Sequence, residues 1–238
     1  MSSTQANGSG AMFDRIASRY DLLNRVLSLG LDQGWRRALV EAVTGDGARR
    51  ILDVATGTGD VAIELAKHRS DISVVGLDPS LAMLDEAPPK IDAAGLSSRI
   101  ELVEGDGCAL PFADDDFDGA CIAFGIRNVP DRPACLREMM RVTRPGAVVA
   151  VLELAEPSEG WLAPFARLHV RHVVPRIGAW ISGDAEYRYL QSSIAAFPSP
   201  DDFAAIMRDA GLVSVGFERM SFGAAHLYVG TVPTPIQA

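Results

Sequence analysis

Residues 51–67, ILDVATGTGDVAIELAK, constrain the fold more than any other stretch. The opening ILDVA is apolar apart from one acid, as expected of a strand buried on both faces. A turn rich in threonine and glycine follows, and then a helix. The turn carries G-x-G-x-x-A at 57–62. Glycines there allow a tight bend and close backbone approach, and the helix behind aims its first N–H groups at a ligand. Asp78 follows roughly 20 residues later at the end of a second predicted strand, where an acid can accept from ribose hydroxyls. A nucleotide site is therefore expected. A dinucleotide and S-adenosylmethionine both fit it.

Strands and helices alternate beyond this unit. Strands are expected at 50–55, 72–78, 99–106, 117–125 and 147–155, and helices at 59–68, from Ser80 as cap, and at 133–143. Residues 12–44 are expected to form an amphipathic helical cover broken near Gly30 and Gly34. Residues 158–198 read as a helical lid, 200–212 as one more helix, and VSVGFERM and AHLYVGTV as two closing strands around Gly223. Continuous apolar strands separated by helices predict an α/β, doubly wound, mostly parallel sheet covered on both faces, with an antiparallel finish. Residues 1–11 read as a disordered tail and 12–238 as one domain.

Composition removes several function classes. Net charge is −9, which argues against nucleic acid as a partner, because neutralising phosphates needs a basic face. No apolar run is long enough to span a bilayer, and the first residues resemble no secretory signal. Cys108, Cys121 and Cys135 lack C-x-x-C spacing, so neither a disulfide framework nor structural zinc is expected, and a reducing cytoplasm fits. His68, His169, His172 and His226 have no metal-ligand spacing, and no metal is expected.

Three features separate the two nucleotide ligands. Asp53 lies inside the first strand, and an acid is costly to bury unless it binds something, either a cationic head group or the loop backbone. Asp106, at the end of the third strand, adds a second acid at the carboxyl edge; it could accept from an adenine amino group, with Gly107 letting the ring lie close. A plain Asp-Gly turn is the alternative. The Tyr-x-x-x-Lys pair of many hydride-transfer enzymes is missing, since the only lysines are Lys67 and Lys90 and no tyrosine precedes either at that spacing.

With Asp53, Gly57, Thr58, Gly59, Asp78 and Asp106 in place, the chain resembles the class I S-adenosylmethionine-dependent methyltransferases. That resemblance implies a Rossmann-like sheet of seven strands, the last antiparallel. Narrower signals are FDRIASRYDLLNRVLSLGLDQGW (13–35), FGIRNVPD (124–131), RVTRPGAVVAVLELAEP (141–157) and YRYLQSSIAAFP (187–198), in this order. Together they resemble the quinone-biosynthesis C-methyltransferases, the UbiE/MenG family, over about residues 12–232. The resemblance implies that Thr58, Asp78, Asp106 and Gly107 contact S-adenosylmethionine. The chain departs from the family pattern at Asp32, at Ala123, at Ala147 and at Tyr228, where many members carry histidine.

The implied reaction is C-methylation of a demethylated isoprenoid quinol, with conversion of demethylmenaquinol to menaquinol the leading expectation. A ubiquinone-pathway benzoquinol, or another small phenolic or isoprenoid substrate, is the alternative. The ring carbon becomes nucleophilic when its neighbouring phenol loses a proton. Arg127 and Asn128, just past the fourth strand, are expected to stabilise and orient the phenolate. Arginine is too weak an acid to act as a simple base, so electrostatic help or a water relay is the expected role. A purely structural Arg127, tying down a loop through an acid, is the competing reading. Tyr20 and Asp21 are expected in the cover over the cofactor. Residues 160–183 carry Arg167, Arg171 and Arg176, several aromatics and no acid. They suit either peripheral contact with the inner face of a membrane or ordinary packing over the sheet. The general habit of this fold admits a homodimer.

Overall fold

The computed structural model describes residues 17, 21, 25, 28, 30–155 and 184–235. Helix α1 (Asp32–Val43) leads into β1 (Arg50–Val54), α2 (Asp60–His68) and β2 (Ser73–Asp78). Then come α3 (Leu81–Asp85), α4 (Ala87–Ala93), β3 (Ile100–Glu104) and β4 (Phe117–Ala123). A 3₁₀ turn (Ile126–Asn128), α5 (Arg132–Val142), β5 (Thr143–Leu154), α6 (Asp184–Ala195), α7 (Pro200–Asp209), β6 (Val213–Met220) and β7 (Ala225–Thr231) follow. The seven strands form one sheet in the order β3-β2-β1-β4-β5-β7-β6. β1 to β5 run parallel, and β7 inserts antiparallel between β5 and β6.

Alternation along each strand builds two cores. Ile51 faces Trp35, Leu39, Val40 and Leu65 of α1 and α2. Leu52 and Val54 face the other way, toward Leu136 and Met139 of α5 and Phe203 of α7. Each strand therefore supplies apolar groups to both sides, which is why no polar face shows in its sequence. Asp53 shares the Ile51 side and is 1% exposed. The reversal of direction in strand order lies between β1 and β4, so the ends of these strands flank the crevice where open α/β sheets bind ligands.

Three local details differ from the sequence expectation. Gly34 does not break α1: it lies on the exposed side of the first turn, where its amide still bonds to Leu31, while Gly30 takes the positive φ. The helix expected after Ser80 is two short ones, with Ala87-Pro88-Pro89 opening the second; prolines suit a first helical turn because the amides there lack intrahelical partners. Strand β5 begins at Thr143, four residues early, and runs through Pro145-Gly146. Its register against β4 shifts between Phe117 and Gly119, and Gly146 adopts φ +81°. A bulge accommodates the proline that would otherwise end the ladder. The cover expected at 12–44 and the lid at 158–198 fall partly outside the described residues; α1 and α6 are their described parts.

Candidate active site

The crevice is built on two closely approaching turns. After β1, Ala55, Gly57 and Gly59 all take positive φ. After β4, Phe124 does the same. A Cβ on Gly125 would lie 2.7 Å from the Ala55 Cβ, so the two turns meet at a separation that only glycine permits. Gly59 opens α2 with no side-chain cap.

Asp78 braces the first turn. Its Oδ2 accepts from the Gly57 amide at 2.8 Å and its Oδ1 from the Ser80 amide at 2.9 Å. The Asp78 carbonyl accepts from the Gly105 amide at 3.1 Å, which ties the β3 loop to the same corner. In that loop Asp106 is exposed and its Oδ1 accepts from the Cys108 amide at 2.8 Å. Gly107 is buried, and a Cβ there would meet Val54 at 3.0 Å and Cys135 at 3.2 Å.

Asp53 lies behind the turn. Thr56 Oγ1 donates to its Oδ2 at 2.6 Å, and the Cys121 thiol lies 3.7 Å from Oδ1. Burial pushes its carboxyl up to about 7, against the opposing pull of the Thr56 and Cys121 bonds and the Arg36 charge. Burial and the Asp53 charge in turn push the Cys121 thiol up. Such a pair is inert as a nucleophile at neutral pH.

Residues expected in the cover reach the turn. Thr58 Oγ1 donates to Asp21 Oδ1 at 2.6 Å. Lys90 Nζ donates to Asp21 Oδ2 at 2.6 Å, to Thr58 Oγ1 at 3.0 Å and to Asp60. Arg36 donates to Asp60 as well. Burial works against the Asp60 charge, yet Arg36 and Lys90 hold its carboxyl below the usual range. Tyr20 lies outside the described residues.

On the β4 side, Arg127 is 7% exposed and Glu153 of β5 is 1% exposed. The Arg127 guanidinium is ion-paired with Glu153 Oε1 and donates to the Phe124 carbonyl at 2.6 Å, while its amide donates to Glu153 Oε2 at 3.1 Å. Its Nε is buried without a hydrogen-bond partner. Asn128 is half-buried, and Tyr189 of α6 donates to its Oδ1 at 3.2 Å.

Asp53, Gly57, Thr58, Gly59, Asp78, Asp106 and Gly107 thus gather at the ends of β1, β2 and β3, with Arg127 and Asn128 at the end of the adjoining β4. Thr56, Lys90, Glu153 and Tyr189 join them without having been singled out in the sequence. Tyr189 lies in the YRYLQSSIAAFP signature, and Glu153 is the one acid in the otherwise apolar run 147–155; both signals were available. Among the described residues, no group of three or more His, Cys, Asp or Glu is placed to hold a metal.

The residues present fit S-adenosylmethionine: a bare turn, a buried acid behind it that gains from a nearby cation, and two further acids at the strand ends. The fold is that of the class I S-adenosylmethionine-dependent methyltransferases. It aligns with the solved structure of a putative S-adenosylmethionine-dependent methyltransferase from Methanococcus maripaludis, with TM-score 0.69 and 18% identity over 94% of each chain. A second alignment, with TM-score 0.66 and 19% identity, covers 93% of this chain and 98% of a chain in the complex between the Haloferax volcanii Trm112 methyltransferase activator and the putative methyltransferase.

The model of the ubiE/COQ5 methyltransferase family matches residues 1–232, and the chain belongs to that family. It is 47% identical to the demethylmenaquinone methyltransferase of Deinococcus radiodurans, over 92% of this chain and 90% of that one. It is 44% identical to the demethylmenaquinone methyltransferase of Thermus thermophilus, over 93% of this chain and 100% of that one. It is 46% identical to the ubiquinone/menaquinone biosynthesis C-methyltransferase UbiE of Syntrophotalea carbinolica, over 94% of each.

Proposed function

We propose that the chain methylates a ring carbon of a demethylated isoprenoid quinol, with demethylmenaquinol as substrate. The observation that carries this reading is the near full-length similarity to the demethylmenaquinone methyltransferases of D. radiodurans and T. thermophilus. S-adenosylmethionine supplies an electrophilic methyl on a sulfonium sulfur. In this reading Asp53, Gly57, Thr58, Gly59, Asp78, Asp106 and Gly107 hold it, and Tyr20 and Asp21 cover it.

The chain's own task is to align the ring carbon and to favour the phenolate. Arg127 is fixed by Glu153 and the Phe124 carbonyl. Its unmatched Nε leaves one donor in a buried place, a cost of about 1–3 kcal/mol that a quinol oxygen or a bridging water would relieve. Since arginine keeps its charge throughout, it stabilises the phenolate without accepting the proton. Tyr189 donates to Asn128 Oδ1 and so turns the Asn128 amide N–H groups away from itself. In this reading those donors serve a second quinol oxygen.

A ubiquinone-pathway benzoquinol is the second reading, favoured by the 46% identity to a UbiE whose name covers both pathways. Incubation with labelled S-adenosylmethionine and a panel of demethylnaphthoquinols and demethylbenzoquinols tests both. Methylated naphthoquinol alone supports the first reading, methylation of both supports the second, and neither product overturns both.

No helix among the described residues is long and apolar enough to cross a membrane. Cytoplasmic residence with peripheral contact at the inner membrane is part of the proposal, supported by the water-insoluble tail of the substrate and by Arg167, Arg171 and Arg176 in the sequence. Those arginines lie outside the described residues. Flotation with anionic vesicles tests the contact, and sedimentation tests whether the chain is a homodimer.

A further inference from the structure

Lys90 is one of only two lysines in the chain. An ammonium has three N–H donors, and Lys90 directs them to three separate parts of the fold: Asp21, Thr58 in the glycine turn, and Asp60 in the first turn of α2. Thr58 closes the ring by donating to Asp21 at 2.6 Å. The Lys90, Asp21 and Asp60 side chains are 30%, 32% and 22% exposed, so solvent screens these pairs only in part. Gly59 gives α2 no side-chain cap. The stiffness of this otherwise glycine-rich turn therefore rests on the side chains flanking it. Without the ammonium, Asp60 would keep its pair with Arg36, whereas Asp21 would keep only the Thr58 hydroxyl and would face the Asp60 carboxylate with no cation between them, which weakens its hold on the turn.

We infer that Lys90 is a positioning residue that latches Asp21 onto the glycine turn, so that closure of this contact and affinity for the methyl donor are linked. The inference rests on the reading that the turn holds S-adenosylmethionine. Linkage then works in both directions: the ligand strengthens the latch as much as the latch strengthens the ligand.

Calorimetry with S-adenosylhomocysteine on the full chain tests it, using Lys90→Met, Lys90→Arg, Asp21→Asn and the Asp21→Asn/Lys90→Met pair. Lys90→Met keeps the length of the side chain and removes its charge. It should weaken binding about tenfold, while Lys90→Arg stays within about threefold of wild type and the double variant is no weaker than the weaker single one. The KM for S-adenosylmethionine should rise by about the same factor as the dissociation constant, and kcat should change far less. On the wild-type protein, saturating S-adenosylhomocysteine should slow acetylation of Lys90 and leave the exposed Lys67 unaffected. Wild-type binding together with unchanged affinity in a normally melting Lys90→Met, or additive losses in the double variant, would overturn the latch alone. Absence of wild-type binding would overturn the site reading and the latch with it.

Discussion

Asp53 shows how one buried side chain sets a pH dependence. Its carboxyl is raised from an ordinary value of 3.8 to about 7. The unfolded chain releases this proton near pH 4, whereas the folded chain keeps it until about pH 7. Between those values the folded state binds more protons, so this residue's contribution to stability falls as pH rises. The loss is about 4 kcal/mol across the window and levels off above it. Urea unfolding at several pH values, comparing wild type with Asp53→Asn, should show the wild type losing stability relative to the variant from pH 4 to 7; parallel curves would contradict it. Arg127 calls for a different comparison. Arg127→Gln alone leaves Glu153 buried and unpaired, at a cost of about 3–5 kcal/mol. Adding Glu153→Gln should restore the melting temperature but not the turnover. Recovery of turnover as well would reduce Arg127 to a loop anchor. Its position was legible from the FGIRN motif, but its partner was not. Glu153 lies 26 residues away on another strand, and only the β4–β5 pairing brings the two together.

At the scale of elements, what decides the site is how closely β1 and β4 approach at their ends. Gly125 is constrained by the Ala55 side chain at 2.7 Å. Gly125→Ala should therefore separate the two turns, cost about 1–3 kcal/mol as an overpacked contact does, and lower affinity for S-adenosylhomocysteine. Gly216 has nothing within 4 Å of its would-be Cβ, so Gly216→Ala serves as the control with unchanged affinity. Melting curves and calorimetry on both variants check this, and equal behaviour of the two would refute it. The glycine turn itself could be read from residues 51–67, because strand, bend and helix are contiguous there. Gly125 stands in the FGIRN motif, but nothing local shows why it must be glycine: its constraint comes from Ala55, in the turn after β1. The same holds for Pro145-Gly146. Locally that pair marks the end of a helix, yet Val142 has already ended it, and the sheet absorbs the pair as a bulge.

For the whole molecule, the parallel, doubly covered character of the sheet follows from the alternation of apolar runs with helices, while the insertion of β7 between β5 and β6 has no local cause. It follows from burial. Phe203 of α7 meets Tyr228 of β7 edge-on with ring centroids 4.8 Å apart, and Phe217 of β6 lies tilted against Tyr228 at 5.7 Å, which packs β6 and β7 under α7. The proposed site draws on almost every layer of this assembly: Asp21 from the start of the chain, the β1, β2 and β3 ends, the β4–β5 ion pair and Tyr189 of α6. A ligand that binds these parts together must also stabilise the fold that unites them. S-adenosylhomocysteine at about 100 times its dissociation constant should add about 2.7 kcal/mol, which for a chain of this length is a rise of roughly 5–10 °C in melting temperature. The Asp53 proton gives the rise a direction with pH. A cationic donor favours the ionised carboxylate, so S-adenosylmethionine should bind more tightly as pH climbs through 7 and should release a proton on binding below it. Calorimetry at pH 6 in two buffers of different ionisation enthalpy measures that proton. A binding heat independent of buffer would place Asp53 outside the site, even if the melting temperature still rises.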